Sequence, residues 1–229
     1  MKRSPETDSS VRIIDVVMEM LMSDGYDDLQ LEEVARRAQV SLATVYKKFA
    51  TCDDLMVAAV TRWMAINSYA ELELPVPGES LRDGLMRVIR HVFEPWERNP
   101  RMLEAYHRAR RGVGGRQLDA QGVSAVLPVA AVLFEGYDPA YVEDIGLIIT
   151  NMIYALTGRF VDKNLDVTEI LPTLERAIDR LTSSSVAPTA SARGRWHGDL
   201  AVPRASVAGR PLRTGPLGPE AARIPIDLR

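Results

Sequence analysis

The chain has 229 residues, 46% of them apolar, and a formal charge of −3 at neutral pH. This length suffices for one or two compact domains with a hydrophobic core. The single cysteine excludes an internal disulfide and fits a reducing, cytoplasmic setting, while the N-terminus MKRSPETDSS lacks the apolar core of a secretory signal.

In chain order, Ile14, Val17, Met18 and Leu21 fall at i, i+3, i+4 and i+7, one face of a helix. Leu31, Val34, Ala35 and Ala38 repeat that spacing, and Leu42, Val45, Tyr46 and Phe49 do so a third time. The same period returns in Leu85–Val88–Ile89–Val92, in Ile145–Ile148–Ile149–Met152 and in Ile170–Leu171–Leu174–Ile178. No alternating strand pattern of comparable length competes with these, so the chain is expected to be all-α. About nine helices are predicted: three short ones, a longer linking helix, then five more.

Breakers set the boundaries. Gly25 ends the first helix, and Pro75, Pro77 and Gly78 form a loop. Asn99–Pro100 marks a joint, Gly112, Gly114 and Gly115 form another, and Asp138–Pro139 opens a helix with proline in its first turn. Pro128 lies within an apolar run and is expected to kink or split its helix. The apolar runs around 123–134 and 145–156 contain polar residues or proline and fall short of the roughly 20 residues of a membrane span.

The last segment differs in composition. Residues 184–229 hold seven Arg, no Lys and three acids, a balance of +4, with six of the fourteen prolines and five of the fifteen glycines. Without a sustained apolar period it cannot bury enough surface to offset its ordering entropy, so disorder is expected there. Three divisions follow: a head over 1–52, a larger helical domain over 53–183, and the Arg/Pro/Gly-rich tail over 184–229.

Two short predicted helices, about 31–38 and 42–48, are separated by only a few residues. This is the layout of a helix-turn-helix, whose second helix enters the major groove of double-stranded DNA by its N-terminal residues. Between Val34 and Cys52 stand Arg36, Arg37, Lys47 and Lys48 with no acid. A local +4 within an otherwise acidic domain suits phosphate binding.

The run GYDDLQLEEVARRAQVSLATVYKKFATCDDL resembles the DNA-binding segment of the TetR family of transcriptional repressors. Gly25–Tyr26, Val34–Ala35, Ala38, Val40–Ser41, Thr44, Tyr46, Phe49 and Leu55 stand at the intervals of the family pattern. The resemblance implies a homodimer that binds a near-palindromic operator and is released by a hydrophobic small-molecule effector. On this alignment Ser41 caps the recognition helix, and Leu42 and Ala43 face outward toward thymine methyls. Thr44, Tyr46 and Lys48 match phosphate-contacting positions, and Lys47 reaches a base edge or a phosphate. Gln30 replaces the family's threonine and can still donate to a phosphate. Gln39 replaces the turn glycine at a position that often takes positive φ, Ala43 replaces a second glycine, and Cys52 replaces a phosphate-contacting lysine. Thr51 and Asp54 form a variant capping box at the next helix start.

From Asp53 to Thr182 no enzyme, cofactor or metal chemistry is expected. None of the three histidines has zinc-ligand spacing, and there is no phosphate-cradling glycine loop. The effector site is placed among helices from Leu81 to Phe134, closed by Ile149 to Leu156. Its expected lining is Met86, Ile89, Phe93, Trp96, Met102, Leu103, Tyr106, Val126, Ala130, Met152 and Ile153. Trp96 and Tyr106 lie near Arg108, Arg110 and Arg111 in sequence, and Arg110 is expected at the ligand. These proportions resemble family members that answer to steroid or fatty acyl-CoA compounds, which would suit a hydrophobic acid or its CoA thioester. The helices near 139–163 and 167–183 are expected to form the dimer interface. Two other readings fit the residues: a regulator controlled by a protein partner or thiol oxidation, and a helical lipid- or CoA-binding protein.

Overall fold

A computed structural model describes residues 5–183 of the chain, with side chains from Ser9 onward. The expected tail, 184–229, lies outside the described residues. Among those described there are nine α-helices and no strand. They are α1 (Pro5–Ser23), α2 (Leu31–Arg37), α3 (Leu42–Lys48), α4 (Cys52–Asn67), α5 (Leu81–Arg98), α6 (Pro100–Arg111), α7 (Gly115–Leu133), α8 (Pro139–Val161) and α9 (Ile170–Thr182). A single 3₁₀ turn, Val167–Glu169, leads into α9. The all-α architecture agrees with the periodicity, except that the first helix is long, at 19 residues. No described helix is long and apolar enough to cross a membrane.

The head is built around α1. Ile13, Val17, Met20 and Leu21 are buried along one stripe of it. Val34, Ala35 and Ala38 meet that stripe from α2 and the following turn, and Val45 from α3. Helix α1 ends where the Asp24 and Gly25 N–H groups both donate to the Met20 carbonyl, at 2.7 and 3.2 Å. Gly25 has φ +90°, which a side chain would disfavour. Helix α4 lies against α1, α6 and α7, so the core continues from the head into the larger half through Val60, Trp63 and Met64.

Pro128 does not split its helix: α7 runs unbroken through it, as α5 runs through Pro95. A proline removes one intrahelical N–H. In α7 both Pro128 and Ser124, whose carbonyl loses that donor, are on the exposed side, so water can serve the carbonyl. Helix α8 begins as expected: Pro139 is in its first turn, and the Asp138 side chain accepts the Tyr141 N–H at 3.2 Å. It is not buried all round, however. Ile145, Ile149, Leu156 and Phe160 face the core, while Leu147 is 56% and Ile148 40% exposed.

Helix α9 buries Ile170, Leu174 and Ile178 on one stripe and packs against α5 and α8. Two ion pairs bind its flank to α5: Arg82 to Asp179 at 2.5 Å and Arg90 to Glu175 at 2.6 Å.

Candidate nucleic-acid interface and effector domain

The α2–α3 turn is set by backbone geometry. The Ala38 N–H donates to Val34 and the Val40 N–H to Ala35, at 2.9 and 3.0 Å. Between them Gln39 has φ 54°, the left-handed conformation expected of the residue replacing glycine. Ser41 then caps α3, its Oγ accepting the Thr44 N–H at 3.1 Å. The same Oγ lies 2.8 Å from the Thr44 hydroxyl, so the cap also fixes that side chain.

Beneath α3, Val45 is fully buried, anchoring the helix to the head. Ala43, Tyr46 and Lys47 are exposed on its outer face, with Tyr46 55% accessible. Thr44 and Lys48 are half-buried at its margins. Leu42 departs from expectation: it is half-buried and packs against the core rather than standing clear of it. Gln30 is exposed ahead of α2 and makes no capping bond. It lines a polar groove of about 540 Å³ with Asp24, Asp28, Glu33, Arg37 and Arg101.

The expected charge footprint is altered by Glu33. Arg36 donates to it twice, at 2.7 and 2.6 Å, and Arg37 Nε donates at 2.6 Å. Arg37 also lies 3.7 Å from Asp24. These bonds, Arg36's foremost, hold the Glu33 carboxyl at about 2. Two of the four cations counted toward phosphate binding therefore carry an internal counterion. Spacing alone permits this pairing, since Glu33 stands three and four residues before the arginines.

At the start of α4, Thr51 Oγ1 accepts the Asp54 N–H at 3.0 Å and Asp54 accepts the Thr51 N–H at 3.1 Å, the expected capping box. Cys52 is exposed. Partial burial of its sulfur, then Asp53, pushes the thiol above its ordinary pKa, the opposite of what a redox-reactive thiol requires.

The head meets the larger half at α6. Arg108 lies 4.3 Å above the ring of Tyr26 and pairs with Asp27.

The expected effector residues divide by burial. Met86, Ile89, Phe93, Trp96, Met102 and Leu103 are buried, while Tyr106, Arg110, Val126, Ala130, Met152 and Ile153 are half-buried. Phe93, Trp96 and Leu103 share a crevice with Val167, Ile170 and Leu171 from the α9 side, and it is too narrow to admit water. The other nine candidates do not line that crevice. Trp96 lies between Trp63 and Tyr106, with centroids at 4.3 and 5.3 Å and each ring pair tilted by 52°. Trp63 belongs to this ladder and escaped the sequence reading, although it lies on the apolar side of α4.

Two of the three clustered arginines have partners, while Arg111 is exposed. Arg108 is bound at the head, and Arg110 Nε donates to Asp119 at 2.7 Å. The Arg110 guanidinium lies 3.5 Å above the Tyr154 ring, and the Tyr154 hydroxyl donates to Asp119 at 3.2 Å. Burial, then Tyr154 and Asp119, pushes the Tyr69 hydroxyl up to about 12. Burial and the Asp119 charge likewise raise Tyr106 and Tyr154. No sequence signal marked Asp119, which lies on a different helix from each of its partners.

A helix-turn-helix head carried on an all-helical body defines a DNA-binding regulatory protein. Two family models bear on the two halves: "Bacterial regulatory proteins, tetR family" matches residues 13–59, and "Tetracyclin repressor-like, C-terminal domain" matches residues 78–181. The chain belongs to the TetR family of transcriptional regulators.

Among curated proteins, it is 28% identical over 99 residues to the HTH-type transcriptional repressor KstR of Rhodococcus jostii, covering 43% of this chain and 45% of that protein. It is 30% identical over 98 residues to the KstR repressor of Mycobacterium tuberculosis, covering 43% and 44%. The chain thus spans less than half the length of the curated relatives it matches. The same fold occurs in a TetR transcriptional regulator from Rhodococcus sp. RHA1, with a TM-score of 0.59 at 19% identity over 76% of this chain and 94% of that one. It also occurs in the multidrug binding protein EbrR complexed with imidazole, with a TM-score of 0.53 at 22% identity over 79% and 98%.

Proposed function

We propose that the protein is a transcriptional repressor that binds a near-palindromic operator as a homodimer and is released by a hydrophobic small molecule. The observation that carries this reading is the outer face of α3, where Ala43, Tyr46 and Lys47 are exposed above a buried Val45 anchor. Gln30, Thr44 and Lys48 border that face as phosphate contacts, Ser41 caps the helix that carries it, and Leu42 contributes through its exposed edge. The head is taken as residues 1–52 and the regulatory domain as 53–183. Similarity to two proteins named as repressors supports repression over activation.

Leu147 and Ile148 support the homodimer, because exposed apolar residues on one helix are suited to a two-fold mate. Two heads so joined would meet successive half-sites. Acyl-CoA or steroid-CoA compounds are one class of hydrophobic effector compatible with the family resemblance. Of the three arginines near their charged end, Arg108 and Arg110 already have partners in Asp27 and Asp119.

Gel-shift titration on DNA upstream of the protein's own gene tests the reading. A retarded band that weakens steeply with salt, and is lost in Lys47→Ala/Lys48→Ala, is expected. No salt-sensitive shift would favour a helical lipid- or CoA-binding protein instead.

A further inference from the structure

Helices α6, α7 and α8 enclose a half-buried charge. Arg110 sits with its guanidinium on the face of Tyr154, 3.5 Å from the ring centroid, and its Nε on Asp119 at 2.7 Å. The carboxylate takes a second hydrogen bond from the Tyr154 hydroxyl at 3.2 Å. An aromatic face with a carboxylate at its edge is the arrangement that recognises an organic cation. Here the occupant is the protein's own side chain. It is held by noncovalent contacts alone, and with 28% of its side chain exposed it has a route to water.

Two further observations mark the surroundings as a place for a ligand rather than only a structural ion pair. Thr157, one turn from Tyr154 on α8, is 2% exposed, and its hydroxyl has no hydrogen-bond partner among the described residues. Ser68, next to Tyr69, is fully buried and its hydroxyl is likewise unpartnered. Buried polar groups are ordinarily paired, and each one left unmatched costs about 1–3 kcal/mol. The aromatic ladder of Trp63, Trp96 and Tyr106 also leads toward Asp119, whose charge acts on Tyr106.

We infer that Arg110 is a tethered occupant of an organic-cation site, and that a flat aromatic cation takes its place on Tyr154 and Asp119. The exchange conserves charge: Asp119 trades one cation for another, and the guanidinium moves to water. This rests on reading residues 53–183 as an effector-binding domain and names the chemical class of the effector. Anionic thioesters fit the site poorly, because they would meet Asp119 without a free cation beside it.

Isothermal titration of the full chain with N-methylacridinium, with acridine at a mildly alkaline pH where it is neutral, and with palmitoyl-CoA tests the inference. The cation should bind at least about tenfold more tightly than its neutral counterpart. Asp119→Asn should weaken the cation by about tenfold or more and leave acridine unchanged. Arg110→Gln should strengthen the cation, since the internal competitor is gone. Should Arg110→Gln fail to fold, the wild-type comparison and Asp119→Asn still decide. Equal binding of cation and neutral ring, preference for palmitoyl-CoA, or indifference to Asp119→Asn would overturn the inference. Gel shifts on the same preparation separate the two readings. A chain that shifts operator DNA but ignores the cation refutes this site alone, whereas cation binding through Asp119 without any DNA shift refutes the regulatory reading.

Discussion

The guanidinium of Arg108 lies 4.3 Å above the ring of Tyr26, which ties α6 to the loop between α1 and α2. Arg110, two residues further along α6, is anchored to α7 and α8 through Asp119 and Tyr154. One short stretch of helix therefore touches both the head and the interior of the larger half.

Arg108→Ala should lower stability by about 1 kcal/mol in urea unfolding. The Asp27 pair is solvent-exposed and contributes little, so most of the loss is the stacked contact. Arg108→Lys should recover less than half, because an ammonium lacks the planar face. A loss above about 3 kcal/mol would show that the contact is far stronger than exposed pairs of this kind.

Gln39→Gly should stabilise the head by about 0.5–1 kcal/mol. The left-handed backbone at φ 54° costs a non-glycine residue about 1–2 kcal/mol, and the greater freedom of glycine when unfolded returns part of that. Gln39→Val should destabilise. Thermal denaturation of the three proteins checks the order.

Ser41→Ala removes the cap of α3 and should cost about 1 kcal/mol. It also frees the Thr44 hydroxyl now held at 2.8 Å, so operator affinity should fall further than Thr44→Val alone would cause. Equal affinities for the two variants would remove Ser41 from the positioning role.

Glu33 predicts both an acid response and a salt response. Its carboxyl is depressed from 4.5 to about 2 in the folded chain. The stability it contributes is present above the unfolded value and disappears as pH falls through the folded one. Glu33→Gln should therefore flatten the acid-side decline between those two values. It also releases Arg36 and Arg37 toward phosphates, so the slope of log affinity against log salt should steepen by about 0.9 for each cation engaged. An unchanged slope would mean that neither arginine reaches DNA.

Cys52→Lys restores the residue type expected at that position and should tighten binding without regard to sequence, steepening the same slope by about 0.9. Unchanged or weaker binding would displace the alignment of this stretch. Cys52→Ser should match the wild type under oxidising and reducing conditions, because the thiol is raised in pKa rather than activated.

Local features were readable in the sequence because they depend on neighbours within a few residues. The Ser41 and Thr51 caps, the positive φ at Gln39 and the proline-led start of α8 belong to this group. Two local signals were misjudged. Pro128 sits on a wet side of its helix, where an unserved carbonyl reaches water. Arg36 and Arg37 count toward phosphate binding by composition, but Glu33 stands three and four residues before them and reaches both. The inter-helix relations were not readable. Arg110–Asp119–Tyr154 joins three helices, and nothing periodic distinguishes Asp119 from any other helical acid. The effector lining was drawn from apolar residues, which a core and a pocket share.

The pairing of α5 with α9 has a consequence for the order in which the chain is made. Arg90 waits for Glu175, 85 residues downstream, and the apolar stripe of α5 waits with it. At roughly 5–20 residues per second, a nascent chain carries that uncovered stripe for on the order of 4–17 seconds. During synthesis α5 is thus a surface that a chaperone can hold, and α9 is the lid that ends its exposure.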